Sequence, residues 1–241
     1  AFTAIASNGH GLALLGTGTK SLTNLNNTLT RLASGSGVGA LNVVNNQGLT
    51  IGQVTAGGTL YSGINSTGTV SVWTRTGDLT VSHPVTTTSN SNNSNAPALD
   101  LRAGTLTAAG TVTGGDLVLS GSPSFSVGAN GLAVFYSGHS TTVDALALIS
   151  NLSANSPFDK VYNQDSSYSI SGSGFRIALR GAAPVNIYLL PASGQSSTYG
   201  TAPANLSYCY SSSAASCVNV SYAGIPSTLQ SFSLVSGALS S

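Results

Sequence analysis

The chain has 241 residues, only 5% of which are Asp, Glu, Lys or Arg, and a formal net charge of +1. An average soluble domain carries about a quarter charged residues, so solubility here depends on Ser, Thr, Asn and Gly. The basic residues are scattered singly, which argues against nucleic-acid binding. No apolar run reaches the ~20 residues that span a bilayer. The sequence shows no initiator Met, signal peptide or basic leader, so we expect a mature piece or a fragment of something longer.

Residues 21–33 form the first predicted element. Leu22, Leu25, Leu29 and Leu32 lie at helical spacing behind Ser21, a residue that caps helices well. Frequent Asn and Thr between the leucines suit an irregular coil equally. A short helix and a coil therefore both remain open.

A repeat of short aliphatic-x-aliphatic patterns dominates residues 41–135. The patterns begin at Leu41, Leu60, Leu79, Leu99, Leu117 and Leu132, so the interval between them stays close to nineteen until it shortens at the last. Alternation of this kind is strand periodicity. A second set of strand patterns falls between these, so each period holds at least two strands. The near copies TGDL at 76–79 and GGDL at 114–117 are separated by two periods of nineteen.

This periodicity predicts an all-β fold in which residues 1–155 form a parallel β-solenoid. Coils of about nineteen residues would stack at roughly 4.8 Å, with their aliphatic side chains merged into one core. An antiparallel sandwich is the alternative, but a spacing held across several periods favours the solenoid. Residues 86–98 are predicted to form a polar loop that bulges from one coil. Residues 144–152 are apolar enough for a short helix or strand cover.

Beyond about residue 155 the strand patterns lengthen, and residues 156–241 are predicted to form a small C-terminal β-sheet module. Cys209 and Cys217 lie eight residues apart in alternating sequence. We predict a disulfide between them, which fits an oxidising compartment; two unpaired thiols in neighbouring strands are the alternative. No histidine is near them in sequence, so no metal site is expected.

Three segments resemble the repeats of filamentous-haemagglutinin-type exoproteins, the two-partner-secretion adhesins of Gram-negative bacteria. They are NNQGLTIG at 45–52, TGDLTV at 76–81 and TGGDLVL at 113–119. VFYSG at 134–138 is similar to the sequence that often closes such an array, and TYGTAPANLSY at 198–208 resembles the opening of the small β modules that follow it. The two cysteines depart from the usual pattern.

The resemblance covers most of the chain from about residue 40 onward. It implies a right-handed parallel β-helix, secretion through an outer-membrane partner, and a place at the cell surface or in the extracellular matrix. The implied role is adhesion, aggregation or biofilm formation, with host or bacterial surface glycans or proteins as partners. Self-association into fibres through exposed strand edges is a further expectation. The family supplies no catalytic residues and no cofactor.

Two alternatives belong to other functional classes. Asp78 and Asp116 would lie two coils and roughly 10 Å apart, at the edge of the ~6.5–9.5 Å that inverting glycosidases use. A polysaccharide-active β-helix enzyme is disfavoured because no third acid or neighbouring base supports the pair. A surface threonine ladder that binds ice is the second alternative, formed by Thr67, Thr69, Thr86, Thr88, Thr105 and Thr107 at intervals of nineteen. Threonine, however, suits any exposed strand.

Isolated aromatic residues offer one more hypothesis. Tyr61, Trp73, Phe135 and Tyr136 would suit a platform on which glycans stack. Isolated aromatics more commonly fill a core or cap it. We therefore expect a non-catalytic protein with no catalytic, cofactor-binding or metal-binding residues.

Overall fold

A computed structural model of the chain describes residues 5, 7, 9–140, 142–155, 157–183, 188–191 and 208–211. They belong to two compact units, Ala1–Ala183 and Pro184–Ser241. The strands of the early part of the first unit are β1 (Gly11–Leu14), β2 (Lys20–Leu22), β3 (Arg31–Ser34), β4 (Leu41–Asn45), β5 (Leu49–Ile51), β6 (Gln53–Ala56), β7 (Thr59–Ser62), β8 (Ile64–Ser66), β9 (Val70–Thr74), β10 (Leu79–Val81) and β11 (Val85–Thr87). The later elements are β12 (Asn92–Asn93), β13 (Ala96–Pro97), β14 (Leu99–Arg102), β15 (Leu117–Leu119), β16 (Phe125–Ser126), β17 (Leu132–Ser137), α1 (Val143–Ser153), β18 (Phe158–Val161) and β19 (Gly174–Leu179).

Three parallel sheets carry most of these strands. The first sheet has seven strands in the order β18-β19-β17-β14-β9-β4-β2, the second has five in the order β1-β3-β5-β10-β15, and the third has three in the order β16-β11-β8. Parallel neighbours need a long crossover between them. From β4 to β9, from β9 to β14 and from β14 to β17, the crossover passes through a strand of each of the other two sheets, as in β4, β5, β8 and then β9, β10, β11.

The spacing between paired positions of the first sheet grows along the chain. Lys20 pairs with Leu41, a step of 21 residues, and the two steps that follow, 41 to 70 and 70 to 99, are equal at 29 residues. The next two steps, 99 to 133 and 133 to 175, are progressively longer. They are longer because they include the loop at 103–116 and the helix α1.

The core follows from alternation within these short strands. Leu49, Leu79 and Leu117 pair in register on neighbouring strands of the second sheet and are at most 2% exposed. Alternate side chains of a strand point to opposite faces, so the aliphatic positions of all three sheets pack into one continuous cluster. The predicted all-β fold, with parallel sheets, is confirmed for the described residues.

The predicted constant period of nineteen is wrong: the step is nineteen residues from Arg31 to Thr50 but 29 from Leu41 to Val70. The longer step holds three strands of the parallel sheets, more than the predicted minimum of two. Leu60 shows where the prediction fails. It lies in the antiparallel hairpin β6–β7 and is 56% exposed, outside the column of buried leucines. Gly57 and Gly58 close this hairpin with φ of 57° and 77°, the left-handed geometry that two-residue hairpin turns require.

Residues 21–33 form no helix. β2 ends at Leu22 and β3 begins at Arg31, and between them Leu29 is fully buried while Leu25 is 54% exposed. Buried Asn27 holds this connection through its Nδ2, which donates to the carbonyl oxygens of Leu22 and Val44. Tertiary packing therefore overrides the helical spacing of the leucines.

Two other predicted segments differ in detail. Within the expected loop at 86–98, β11 continues through Thr87, and β12 pairs with β13 in a short antiparallel hairpin. Residues 143–153 form the helix α1, one of the two structures left open for that segment. Its first turn is capped by Thr142, whose Oγ1 accepts a hydrogen bond from the Ala145 N–H at 3.2 Å.

The boundary between the units lies at 183/184 rather than at the predicted 155/156, because β18 and β19 extend the first sheet. In the second unit β20 (Tyr188–Pro191) pairs antiparallel with β21 (Tyr208–Ser211). The predicted disulfide between Cys209 and Cys217 lies outside the described residues. Over the part of the chain that the structure covers, no helix has the length and apolar character needed to cross a membrane.

Candidate functional site

A groove of about 280 Å³ lies on the outer face of the first sheet. Strand alternation forms its floor: the buried side chains of β4 and β9 point into the core, and the intervening residues point outward. The outward residues that line the groove are Asn42, Val44, Ser71 and Trp73. Thr23, Asn95, Pro97 and Asp100 stand around them.

Trp73 is fixed beside a buried ion pair. Its Nε1 donates to Asp100 Oδ2 at 3.1 Å, and Arg102 Nε donates to Asp100 Oδ1 at 2.7 Å. The Arg102 guanidinium carbon also lies 5.0 Å from the centre of the Trp73 ring, within cation–π range. The register explains this arrangement, since Trp73 and Arg102 are direct partners on β9 and β14.

Further contacts fix the ion pair itself. Arg102 NH1 donates to the carbonyl oxygens of Ser166 and Tyr168, and Asp100 and Arg102 are 3% and 5% exposed. Burial raises the pKa of the Asp100 carboxyl, and the charge and hydrogen bond of Arg102 and the bond from Trp73 oppose that rise. The guanidinium is therefore committed to partners of the protein itself.

The β12–β13 hairpin flanks the groove. Ser91 Oγ donates to the Ala96 carbonyl oxygen at 2.5 Å, and the Asn95 N–H donates to Asn93 Oδ1 at 2.9 Å. These bonds hold the turn in one conformation. The groove thus combines a partly exposed indole with the neutral polar side chains of Asn42 and Ser71 and with the buried carboxyl of Asp100.

Asp78 and Asp116, the two acids considered for catalysis, lie directly before β10 and β15. These strands are paired with each other, so the acids lie on adjacent strands and not two coils apart. Asp78 Oδ1 accepts the Asp116 N–H at 2.8 Å. Glycine permits this close stacking of turns: a Cβ at Gly115 would overlap the carbonyl oxygen of Gly77. The expected separation of about 10 Å, which rested on two strand spacings, is wrong.

Asp116 anchors local structure. Its Oδ1 accepts bonds from the His139 N–H at 2.6 Å and from Ser137 Oγ at 3.1 Å, and its Oδ2 lies 2.5 Å from His139 Nδ1. Sequence reasoning gives His139 no partner and misses this pair, because the two residues are far apart along the chain. Both carboxylate oxygens are thus engaged by groups of the protein itself, and they hold the turn that precedes β15 in place.

The six threonines do not form one ladder. Thr86 pairs with Asn65 and Ser126 in the third sheet, whereas Thr105 and Thr107 lie in the connection between β14 and β15. Thr67 and Thr88 follow the ends of β8 and β11, and Thr69 precedes β9. An interval of nineteen does not match the strand register, so equal spacing does not bring these side chains together.

Of the four aromatic residues considered for a glycan platform, Trp73 alone lines the groove. Phe135 and Tyr136 are fully buried, and Tyr61 lies on the β6–β7 hairpin. Sequence reasoning missed Asn42, Ser71, Asp100 and Arg102. For Ser71, Asp100 and Arg102 the available signal is the alternation in VSVW at 70–73 and LDLR at 99–102. These two segments lie side by side because Val70 pairs with Leu99.

A search for metal-binding groups among the described residues found no cluster of three or more His, Cys, Asp or Glu side chains. No family model matches the chain, and searches of curated proteins and of solved structures found no match either.

Proposed function

We propose that this chain is a non-catalytic structural segment of a secreted bacterial surface adhesin or extracellular filament. In this proposal the three parallel sheets of the first unit are the faces of a right-handed parallel β-helix, and a small β module follows it. The segment would be exported by an outer-membrane partner of a Gram-negative bacterium. It would act in adhesion, aggregation or biofilm formation.

The observation that carries the proposal is the in-register column of Leu49, Leu79 and Leu117. One turn of chain cannot cover its own apolar face, so each turn depends on the next, and stability accumulates along the stack. Such a scaffold extends a chain away from a surface without needing a globular core. A chain with 5% charged residues suits an immobile extracellular structure better than a freely diffusing solute.

Two experiments test the proposal: locating the protein on producing cells and deleting it from them. Antibodies raised against the first unit should label the outside of intact producing cells or the fibres around them, and a deletion strain should sediment more slowly and attach less to surfaces. Labelling confined to the cell interior, or a deletion strain with unchanged attachment and aggregation, would contradict the proposal.

Two leucine variants connect this function to the stack. Complementation with Leu79→Asp should fail to restore attachment, because the charge enters a fully buried column. Leu60→Asp should restore it, because Leu60 lies outside that column. Equal behaviour of the two variants would show that the leucine column is not what supports adhesion.

A further inference from the structure

The floor of the groove is divided into two rows by strand register. Val44 pairs with Trp73, and Asn42 pairs with Ser71, on the adjacent strands β4 and β9. Residues two apart on a strand lie about 7 Å apart on the same face. An apolar row of Val44 and Trp73 therefore runs beside a polar row of Asn42 and Ser71, within the dimensions of a small ligand.

We propose that this groove binds a neutral saccharide, one or two rings of a surface glycan. A sugar ring presents C–H groups on its faces and hydroxyl groups around its edge, which matches an apolar row next to a polar one. The Asn42 amide both donates and accepts hydrogen bonds, and the Ser71 hydroxyl does the same. The proposal rests on the adhesin function above and names the class of ligand for it.

The balance of charges at the groove favours a neutral ligand over an anionic one. Among the residues that line it, Asp100 carries the only formal charge, and Arg102 balances that charge at 2.7 Å. Arg102 also donates from NH1 to two carbonyl oxygens, so its charge and its Nε and NH1 donors are engaged within the protein. Recognition of an anionic glycan would need a cation free to pair with it.

The geometry of the groove also reduces the entropic cost of binding. The bond from Trp73 Nε1 to Asp100 and the contact with Arg102 hold the indole in place before a ligand arrives. Preorganised binding groups lose little freedom on association. A volume of about 280 Å³ is at the small end of ligand pockets, which fits one or two sugar rings rather than a folded partner.

Because Trp73 is the only tryptophan of the chain, intrinsic fluorescence reports on this groove directly. The full chain would first be applied to an array of neutral, sialylated and sulfated glycans. The neutral glycan that binds best would then be titrated into the protein while tryptophan emission is recorded. We expect saturable binding of a neutral glycan and a change in tryptophan emission with the same midpoint.

Variants assign the binding to the floor of the groove. Trp73→Ala should abolish binding on the array, and Asn42→Ala, a change at an exposed side chain, should weaken the titrated affinity by about tenfold, equivalent to about 1.4 kcal/mol. Thr80→Ala is the matched control, because Thr80 is an outward hydroxyl residue on β10 of the second sheet. It should bind as the unaltered protein does.

Three results would overturn the proposal: no neutral glycan bound above the Trp73→Ala background, binding of anionic glycans alone, or unchanged affinity in Asn42→Ala. Attachment assays distinguish a failure of the saccharide-binding proposal from a failure of the proposed adhesin function. Cells that carry Asn42→Ala and Trp73→Ala and still attach fully would leave the adhesin function standing without this ligand. Glycan binding by a protein found inside the cell would leave the groove standing without the adhesin function.

Discussion

Asn45 and Arg180 perform the same task in two regions of the first unit. Both side chains are fully buried, and both donate hydrogen bonds to main-chain carbonyl groups where the chain leaves a strand of the first sheet. Asn45 ends β4 in the early region, where the steps between paired strands are equal. Arg180 follows β19 in the late region, where those steps have lengthened.

In the early region a short neutral side chain is sufficient. Asn45 Nδ2 donates to the carbonyl oxygens of Leu29, Gln47 and Gly48, and its Oδ1 accepts the Leu29 N–H at 2.7 Å. At the next position in register, Thr74 Oγ1 donates to the Gly77 carbonyl oxygen at 2.8 Å. The turns after β4 and β9 are brief, so few carbonyl groups enter the interior.

In the late region the connection between β14 and β15 brings many carbonyl groups inward. Arg180 donates to five of them, those of Ala103, Gly104, Thr111, Thr113 and Gly115. Its guanidinium carbon also lies 5.3 Å from the centre of the Tyr136 ring. The comparison teaches that a longer connection needs a longer side chain with more donors, which places a cation in the core of a nearly uncharged protein.

Arg180→Met should give the largest loss. The substitution keeps much of the side-chain volume but removes the guanidinium donor from five carbonyl groups. The Gly104 carbonyl keeps a bond from the Thr107 N–H, and each buried group that is left unsatisfied costs on the order of 1–3 kcal/mol before relaxation. We expect the free energy of unfolding of the first unit to fall by about 3–5 kcal/mol in urea titrations. Amide exchange over residues 103–115 should accelerate.

The exposed Arg31, at the start of β3, supplies the control. Arg31→Met should change the free energy of unfolding by less than about 0.5 kcal/mol. Arg180→Lys should restore only part of the loss, because an ammonium group has three donors in place of the guanidinium fork. Full stability in the lysine variant would show that the positive charge, rather than the array of donors, holds the connection.

Asn45→Ala should lower the free energy of unfolding by about 2 kcal/mol. This loss is smaller than that for Arg180→Met because fewer carbonyl groups lose a donor. Its effect on amide exchange should be confined to residues near 29 and 45–49. Asn65→Ala is the matched change, since Asn65 is exposed and its Oδ1 accepts one main-chain bond, from Gly37. A loss for Asn45→Ala as large as that for Arg180→Met would remove the distinction between the two regions.

The sequence predicts the elements of this fold better than their arrangement. Alternation such as VSVWT at 70–74 identifies a strand with one buried face. It does not identify the sheet to which the strand belongs. For this reason the interval of nineteen predicts that Leu60 stacks with Leu79 and Leu117, whereas it lies in a separate hairpin. The Gly57-Gly58 pair that closes its hairpin is the available signal.

The site is harder to predict because it depends on register. Trp73 and Arg102 are distant along the chain and meet only because β9 and β14 pair. The sequence offers Trp73 only as one of four aromatic residues that more commonly fill a core, and an interval of nineteen does not place Arg102 beside it. Buried Asp100 and Arg102 look like ordinary surface charges in the sequence, and the segment around Ser166 that covers them lies far beyond Arg102 along the chain.

Asp100→Asn should have the smallest effect, and one that depends on pH. Burial raises the pKa of the Asp100 carboxyl above its usual value of 3.8, against the opposing effects of Arg102 and Trp73. A folded-state pKa above the unfolded value means that the folded protein binds the proton more tightly. The stability contributed is therefore complete below the unfolded value and is lost as pH rises through the raised pKa.

The asparagine variant does not titrate at this position. The free energy of unfolding of the unaltered protein minus that of the variant should therefore fall from about pH 3 toward pH 7, with a slope of at most about 1.4 kcal/mol per pH unit. Asp165→Asn provides a control of opposite sign, because hydrogen bonds from Ser167 lower the pKa of the exposed Asp165 and its contribution is lost as pH falls. A difference for Asp100→Asn that rises with pH would mean that Arg102 outweighs burial. The buried ion pair on β14 would then be a source of stability, as the neutral Asn45 is on β4.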